Sequence, residues 1–175
     1  EPFTTLDGKH HKLTDDTLMI CDAEKPVAVA GVMGGENSEI TEDTSRVLIE
    51  SACFDPVSIR KTAKRLAANT DASHRFERGV DPEGTIFALE RAAQLMAEVS
   101  GGSMISGLID AHPMPPEKRA IELNTEKTNR HLGTALTQAE MQGFLESVGF
   151  STTVVDGDNV SVVAPTFRVD VSRPE

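Results

Sequence analysis

The sequence predicts an α+β protein in which a mixed sheet with packed helices is followed by a small winged-helix-like α+β module. Short apolar runs between glycine-rich turns come first and are typical of strands. Longer segments with apolar residues at helical spacing follow them. A proline-rich stretch then ends this pattern, because proline continues neither a helix nor a central strand. We therefore predict one domain at residues 1–112, a linker at 113–118 and a second domain at 119–175.

The first domain is predicted to combine strands with two helices. Its apolar runs place strands at 18–21, 26–32 and 47–52, and a further strand near 105–110. One helix is predicted to begin at Asp55, which precedes a proline and several apolar residues at helical spacing.

The second helix has the same start signal. It is predicted to begin at Asp81, which again precedes a proline, and to end at the glycine pair Gly101-Gly102.

The second domain has its own order of elements. A strand at 120–123 and a short helix at 125–132 are followed by the capping box Thr137-x-x-Glu140, which predicts another helix. Two further strands are predicted at 152–155 and 160–164. The predicted second domain therefore has two helices and a two-stranded wing. The helical part carries too few Lys and Arg residues on any one face to read DNA, so we expect no DNA partner.

The charge distribution is uneven along the chain. Its net charge of −11 argues against a generic nucleic-acid binder, because phosphate neutralisation requires an excess of Lys and Arg. Residues 60–78 nevertheless contain six basic and two acidic residues. The net charge of this segment is therefore +4, and that of the remaining residues is −15. This segment either contacts phosphate or is a solvated helix face, which is the commoner case. The six basic residues are Arg60, Lys61, Lys64, Arg65, Arg75 and Arg78.

Composition and motifs exclude several classes of protein. No apolar run approaches the roughly 18 residues needed to span a bilayer, and the first residues do not form a signal peptide. These two absences predict a cytoplasmic protein without a membrane partner. Cys21 and Cys53 are far apart, each within an apolar run, which predicts buried free thiols. The five histidines are scattered and form no metal or triad pattern. Neither end has a terminating pattern, so we expect both to be cuts within a longer protein.

Two short motifs leave alternatives open. The glycine-rich segment 31–36 lacks the Lys-Ser/Thr of a P-loop and the third glycine of a dinucleotide loop, so a tight turn explains it best locally. Glu50 lies inside an apolar run, where a strand would surround its carboxylate with buried neighbours. Such a group needs either a structural salt bridge or a ligand-binding role, and the salt bridge is slightly favoured from local sequence alone.

Three segments together strongly resemble the editing domain of the bacterial phenylalanyl-tRNA synthetase β subunit. They are Gly31–Glu36, Leu48–Phe54 and the highly specific Thr70–Asp81. The resemblance continues through Pro165–Asp170, which is similar to the end of the B5 module that follows in that family. It therefore covers essentially the whole chain.

The resemblance implies a role in proofreading. In the family, the B3/B4 editing domain hydrolyses tyrosine wrongly attached to tRNA(Phe), whereas ATP-dependent aminoacylation belongs to the α subunit. It also implies that Gly34 leaves room for substrate, that Glu50 accepts a hydrogen bond from the tyrosine hydroxyl, and that Thr70 and Ala72 line the pocket. Other pocket residues of the family lie upstream of this chain, so we expect the isolated chain to be inactive. The alternative is a non-catalytic RNA-binding or subunit-docking piece with a residual pocket.

The same resemblance implies partners and a metal. The partners are the α subunit and tRNA(Phe). Asp170 would supply one ligand to a Mg²⁺ shared with the α subunit, although a surface ion pair with Arg168 or Arg173 is the simpler interpretation. The basic residues of the first helix are the candidate tRNA contacts, namely Arg60, Lys61, Lys64 and Arg65.

Overall fold

The computed structural model describes residues 2–113, 115 and 118–174. The chain divides into two compact units, Glu1–Val80 with Gly84–Met104 and Asp81–Glu83 with Ile105–Glu175. The predicted linker at 113–118 falls partly on Met114, Pro116 and Glu117, which lie outside the described residues. Its position stays a prediction. Both units combine helices with small antiparallel sheets, and the predicted α+β class is confirmed.

The strands of the first unit form two small antiparallel sheets. A hairpin pairs β1 (Pro2–Thr4) with β2 (His10–Lys12). The second sheet has the order β3-β4-β5, and the predicted strands at 18–21 and 26–32 correspond to its first two members. Its strands are β3 (Met19–Cys21), β4 (Pro26–Val29) and β5 (Met33–Gly34), followed by a 3₁₀ turn at Glu36–Ser38.

The first helix begins as predicted. Helix α1 (Pro56–Leu66) has Asp55 at its N-cap, whose carboxylate accepts a hydrogen bond from the backbone N–H of Ser58 at 2.7 Å. Its apolar face enters the core of the first unit. The buried members of that core are Phe3, Val29, Val32, Ile59, Ala63, Leu66 and Ala68.

Two helices differ from the prediction. Helix α2 (Asp71–Phe76) was not predicted. Helix α3 (Thr85–Ser100) begins three residues after Pro82, which would be its first residue if Asp81 were the N-cap. The carboxylate of Asp81 accepts a hydrogen bond from the N–H of Glu83 at 3.0 Å and so closes a local turn. Aspartate commonly bonds to the backbone in this way instead of capping a helix.

Two predicted strands are absent. Residues 47–52 and 105–110 form neither strand nor helix, and most of their side chains are exposed. Within the described residues no neighbouring strand pairs with either segment. The prediction of buried thiols is also wrong, because Cys21 and Cys53 are both exposed.

The second unit follows the predicted order. It contains β6 (Ala120–Asn124), α4 (Thr125–Leu132), α5 (Gln138–Ser147), β7 (Ser151–Val154) and β8 (Asn159–Val163). These three strands form an antiparallel sheet in the order β6-β8-β7.

Local signals explain where the helices of the second unit start. The predicted capping box is present, since the N–H of Thr137 donates to Glu140 at 2.8 Å while the N–H of Glu140 donates to the Thr137 hydroxyl at 3.3 Å.

Phe150, Val160 and Val162 form the buried core of this unit. In the described ranges, no helix combines the length and apolar character required to cross a membrane.

Candidate functional site

The Thr70 hydroxyl joins helix α2 to the glycine-rich segment. Its Oγ1 donates to the carbonyl of Val32 at 2.7 Å and accepts from the backbone N–H of Ser73 at 3.0 Å. In return, Ser73 Oγ accepts from the N–H of Thr70 at 2.9 Å, which completes a capping box. Because Val32 directly precedes β5, this hydroxyl ties the strand that carries Gly34 to the start of α2.

The side chain of Ser73 is buried, and sequence reasoning missed its role. A threonine followed by an acidic residue in the first helical turn is a start signal that could have revealed α2.

Gly31 allows the glycine-rich segment to pack closely on the core. Its φ of +64° is in the left-handed region, which residues with a Cβ rarely adopt. A Cβ at this position would lie 2.9 Å from Ile59 Cδ1 and 2.9 Å from Phe54 Cδ2. The rings of Phe54 and Phe76 meet edge to face with centroids 4.9 Å apart. The backbone therefore lies directly against an aromatic pair.

Gly34 also lies in a close contact. A Cβ there would be 2.9 Å from the Cδ1 of Leu6, a half-exposed side chain on the hairpin that follows β1. Leu6 also donates its backbone N–H to the carbonyl of Gly34 at 3.0 Å. The space that the absent side chain leaves is therefore filled from the hairpin.

Glu50 is not buried, contrary to the prediction from the sequence. It is exposed and makes no ion pair or side-chain hydrogen bond within the described part of the chain, so the salt-bridge interpretation is not supported. The segment around it lacks the strand that would have enclosed it. Partial burial of the carboxyl nevertheless raises its pKa above the usual range.

The four predicted pocket residues are only partly brought together. Thr70 and Gly34 are linked through Val32, and Ala72 lies exposed in the first turn of α2. No hydrogen bond in the described part of the chain joins Glu50 to this group. Two surface concavities, of about 280 and 350 Å³, are lined by none of the four residues.

The four basic residues of α1 form two groups that differ in their contacts. Arg60 donates to the carbonyl of Glu77 at 3.2 Å, and Arg65 forms an ion pair with Asp16 at 2.6 Å. Both guanidinium groups therefore have structural partners. Lys61 and Lys64 are exposed and have no ion pair among the residues that the structure describes. These two ammonium groups are available to an anionic partner.

Asp170 forms an ion pair with Arg168. Both carboxylate oxygens accept hydrogen bonds from the guanidinium, at 2.9 Å each, and this pairing lowers the pKa of Asp170. The guanidinium of Arg168 also lies over the ring of Phe150, 5.7 Å from its centroid.

These residues do not form a magnesium site by themselves. Mg²⁺ requires near-octahedral oxygen coordination, whereas the described residues contain no group of three or more potential metal-binding side chains. Asp170 would bring one carboxylate to such a site, and in this structure both of its oxygens accept hydrogen bonds from Arg168.

The chain matches two families in succession. Residues 1–101 match the B3/4 domain family, and residues 121–175 match the tRNA synthetase B5 domain family.

Three phenylalanine–tRNA ligase beta subunits are similar to this chain over nearly its whole length. A phenylalanine–tRNA ligase beta subunit from Salinibacter ruber is 51% identical over 174 residues, which are 99% of this chain and 21% of that protein. The beta subunit from Syntrophus aciditrophicus is 51% identical over 176 residues, and that from Geobacter metallireducens is 47% identical over 173 residues. Each alignment covers 99% of this chain and 22% of the relative. The chain thus belongs to the B3/4 domain family, its residues 121–175 match the B5 domain family, and it spans about a fifth of the length of these phenylalanine–tRNA ligase beta subunits.

Proposed function

We propose that this chain supplies one side of the pocket in which a phenylalanine–tRNA ligase beta subunit hydrolyses tyrosine from mischarged tRNA(Phe). The link from Thr70 to Val32 is the observation that carries the proposal. It holds Gly34 and the start of α2 together, and these are the segments that resemble the pocket of the editing family. The isolated chain, which has only this side, is expected to be inactive.

Selectivity follows from one hydroxyl group. An aminoacylation site that binds phenylalanine rejects tyrosine only weakly, by about 10²-fold for the added hydroxyl. A second, hydrolytic site must therefore prefer tyrosine. The Glu50 carboxylate would accept a hydrogen bond from the tyrosine hydroxyl. Phenylalanine would leave this acceptor unpaired once the pocket closes, at a cost of about 1–3 kcal/mol. Hydrolysis would then use a positioned water and hydrogen-bond donors for the oxyanion.

Replacing Glu50 tests this assignment. In the complete ligase, Glu50→Ala is expected to reduce the preference for tyrosyl-tRNA(Phe) over phenylalanyl-tRNA(Phe) in deacylation by about tenfold, because the acceptor for the hydroxyl is lost. Ala72→Trp is expected to abolish deacylation of both esters by filling the pocket. The measurement is the ratio of the two hydrolysis rates.

Glu42→Ala is the matched control, since it removes an exposed carboxylate from the same segment of the chain. If Glu50→Ala and Ala72→Trp both kept the parental rates and selectivity, the pocket would lie elsewhere.

A second expected result concerns the tRNA partner. Charge reversal at both Lys61 and Lys64 in the complete ligase is expected to weaken tRNA(Phe) binding. It should also flatten the plot of log affinity against log salt by about one to two units of slope, because two phosphate contacts are lost. The control is charge reversal at Lys12 and Lys25, two exposed lysines whose replacement changes the net charge equally. Equal salt slopes in the two double variants would identify the α1 face as merely solvated.

A third expected result concerns the α subunit and Mg²⁺, with Asp170 as one ligand of a shared site. In the complete α/β enzyme, Asp170→Ala is expected to reduce the rise in thermal midpoint that magnesium produces. Asp158→Ala is the control, because it removes another exposed carboxylate from the same unit. Identical magnesium responses in the parent and the Asp170 variant would leave Asp170 as a surface partner of Arg168.

One observation favours the second candidate, a piece that only binds RNA or docks other subunits. Helix α3 has no buried residue, and Phe87 and Val99 on it are 75% and 88% exposed. Large exposed apolar surface commonly marks an interface. The Glu50 experiment separates the candidates, since a docking piece predicts unchanged selectivity. In either case we place the chain in an ATP-dependent, cytoplasmic ligase.

A further inference from the structure

Arg75 is an exposed arginine on helix α2. Its guanidinium forms no ion pair or hydrogen bond with the residues that the structure describes. Asp71 lies one turn earlier, at the i, i+4 spacing at which opposite charges commonly pair, yet these two side chains do not pair. An arginine presents five N–H donors in a planar fork that matches a phosphate or a carboxylate. The guanidinium of Arg75 is therefore available to an anion from outside the described chain.

The neighbouring arginines differ from Arg75 in their contacts. Arg60 donates to the carbonyl of Glu77 at 3.2 Å. Arg78 donates to the carbonyl of His74 at 2.6 Å and to the carboxylate of Glu77 at 3.1 Å. These two guanidinium groups hold the end of α2 in place. Arg75 has no such structural task within the described residues, so its charge can serve a ligand without cost to the fold.

Arg75 lies beside the side chain that is assigned to the pocket. Ala72 precedes it by three residues, and positions three apart are neighbours on a helix surface, with Cβ atoms about 5–6 Å apart. Both residues are exposed, whereas Ser73 between them is buried, so Ala72 and Arg75 share the outer face of α2. The bond from Thr70 to Val32 fixes the start of this helix. The guanidinium therefore extends from a firmly held base next to Ala72.

The chemistry of the substrate indicates which anion reaches this position. The ester that is hydrolysed joins tyrosine to the ribose of the last nucleotide of the tRNA. The 5′-phosphate of that nucleotide lies on the other side of the same ribose. With the tyrosyl group in the pocket beside Ala72, this phosphate is the nearest anion of the substrate to the outer face of α2. A guanidinium binds such a group through two parallel, charge-assisted hydrogen bonds.

We propose that Arg75 binds the 5′-phosphate of the terminal nucleotide of tyrosyl-tRNA(Phe) and thereby holds the ester beside Ala72. The inference rests on the proposed function, which assigns the tyrosyl group to this pocket. Glu50 then recognises the amino acid and Arg75 recognises the nucleotide. Free tyrosine and tyrosyl esters without a phosphate are therefore expected to be poor ligands of the site.

Two small esters isolate the phosphate contact. They are 3′-O-tyrosyl-adenosine and the same ester with a 5′-phosphate, and release of tyrosine by the complete α/β ligase is measured for each. In the parent, kcat/KM is expected to be about tenfold higher for the phosphorylated ester, mainly through a lower KM, because only that ester forms the charged hydrogen bonds. In Arg75→Ala the two esters are expected to have equal kcat/KM, with kcat within about twofold of the parental value.

The same variant is tested on the full substrate, and two further variants serve as controls. For tyrosyl-tRNA(Phe), Arg75→Ala is expected to raise KM by about tenfold. Arg91→Ala removes the same charge from an exposed position on α3 and should keep the parental preference between the small esters. Arg75→Lys keeps the charge but not the planar fork, so it should keep a smaller preference.

The outcomes distinguish a failure of this subsite from a failure of the proposed function. An unchanged preference between the esters in Arg75→Ala, or an unchanged KM for tyrosyl-tRNA(Phe), would overturn the subsite and leave the proposed function standing. A parental ligase that released tyrosine from neither the small esters nor tyrosyl-tRNA(Phe) would overturn the proposed function, and this subsite with it.

Discussion

Alanine in place of Gly31 is expected to lower the free energy of unfolding of this chain by about 3 kcal/mol, the sum of two effects. A left-handed backbone costs a residue with a Cβ about 1–2 kcal/mol. The new methyl group would also lie 2.9 Å from both Ile59 and Phe54, and overpacking of this kind costs about 1–3 kcal/mol. Urea unfolding followed by circular dichroism measures the difference.

Gly8 provides the matched control for the backbone effect. Its φ of +74° is close to that of Gly31, but nothing lies within 4 Å of the position that a Cβ would occupy. Gly8→Ala is therefore expected to cost only about 1–2 kcal/mol, the backbone share. The difference between the two variants measures how tightly the glycine-rich segment packs on the aromatic pair. Equal costs at the two positions would mean that the core relaxes around the added methyl group without strain.

The parts of the fold that the sequence predicted correctly depend on local signals. Asp55 and the Thr137-x-x-Glu140 box are N-terminal caps whose hydrogen bonds close within three residues, and both lie where they were predicted. The later start of α3 has a local origin too. Asp81, like Asp55, is an aspartate before a proline, but it closes a turn instead of capping a helix, and the sequence alone did not distinguish the two outcomes.

The strand predictions failed where pairing depends on distant residues. A strand is defined by its neighbour, and the described residues supply none for 47–52 or 105–110. Glu50 was expected to be buried because its neighbours in sequence are apolar. Without a sheet around them, Val47, Leu48 and Glu50 are exposed, and Ile49 is only partly buried.

The candidate site shows the same division between local and distant determinants. Sequence reasoning selected Arg60, Lys61, Lys64 and Arg65 as equivalent basic residues of one helix. The structure distinguishes them through Asp16 and Glu77, partners that no local pattern indicates. The resemblance had placed Thr70 in the pocket lining, but its bond to Val32 spans 38 positions and could only be found in three dimensions.

That bond makes Thr70→Val the substitution with the clearest link between stability and site. Valine has nearly the same shape but no hydroxyl, so it removes the N-cap of α2, which costs about 1 kcal/mol. It also leaves the Val32 carbonyl without its donor, which costs about 1–3 kcal/mol when the group is shielded from water. We expect the free energy of unfolding of this chain to fall by about 2–3 kcal/mol.

Thr70→Ser separates the role of the hydroxyl from that of the methyl group. Serine caps a helix as well as threonine and can donate to the same carbonyl, so its cost should stay below about 1 kcal/mol. In the complete ligase, Thr70→Val is also expected to slow deacylation of tyrosyl-tRNA(Phe), because Gly34 and α2 are no longer held in register, whereas Thr70→Ser should retain it. If the valine variant lost stability but edited at the parental rate, the hydroxyl would serve the fold alone. If the serine variant were as damaged as the valine variant, the methyl group of Thr70, and not its bond to Val32, would be what the segment requires.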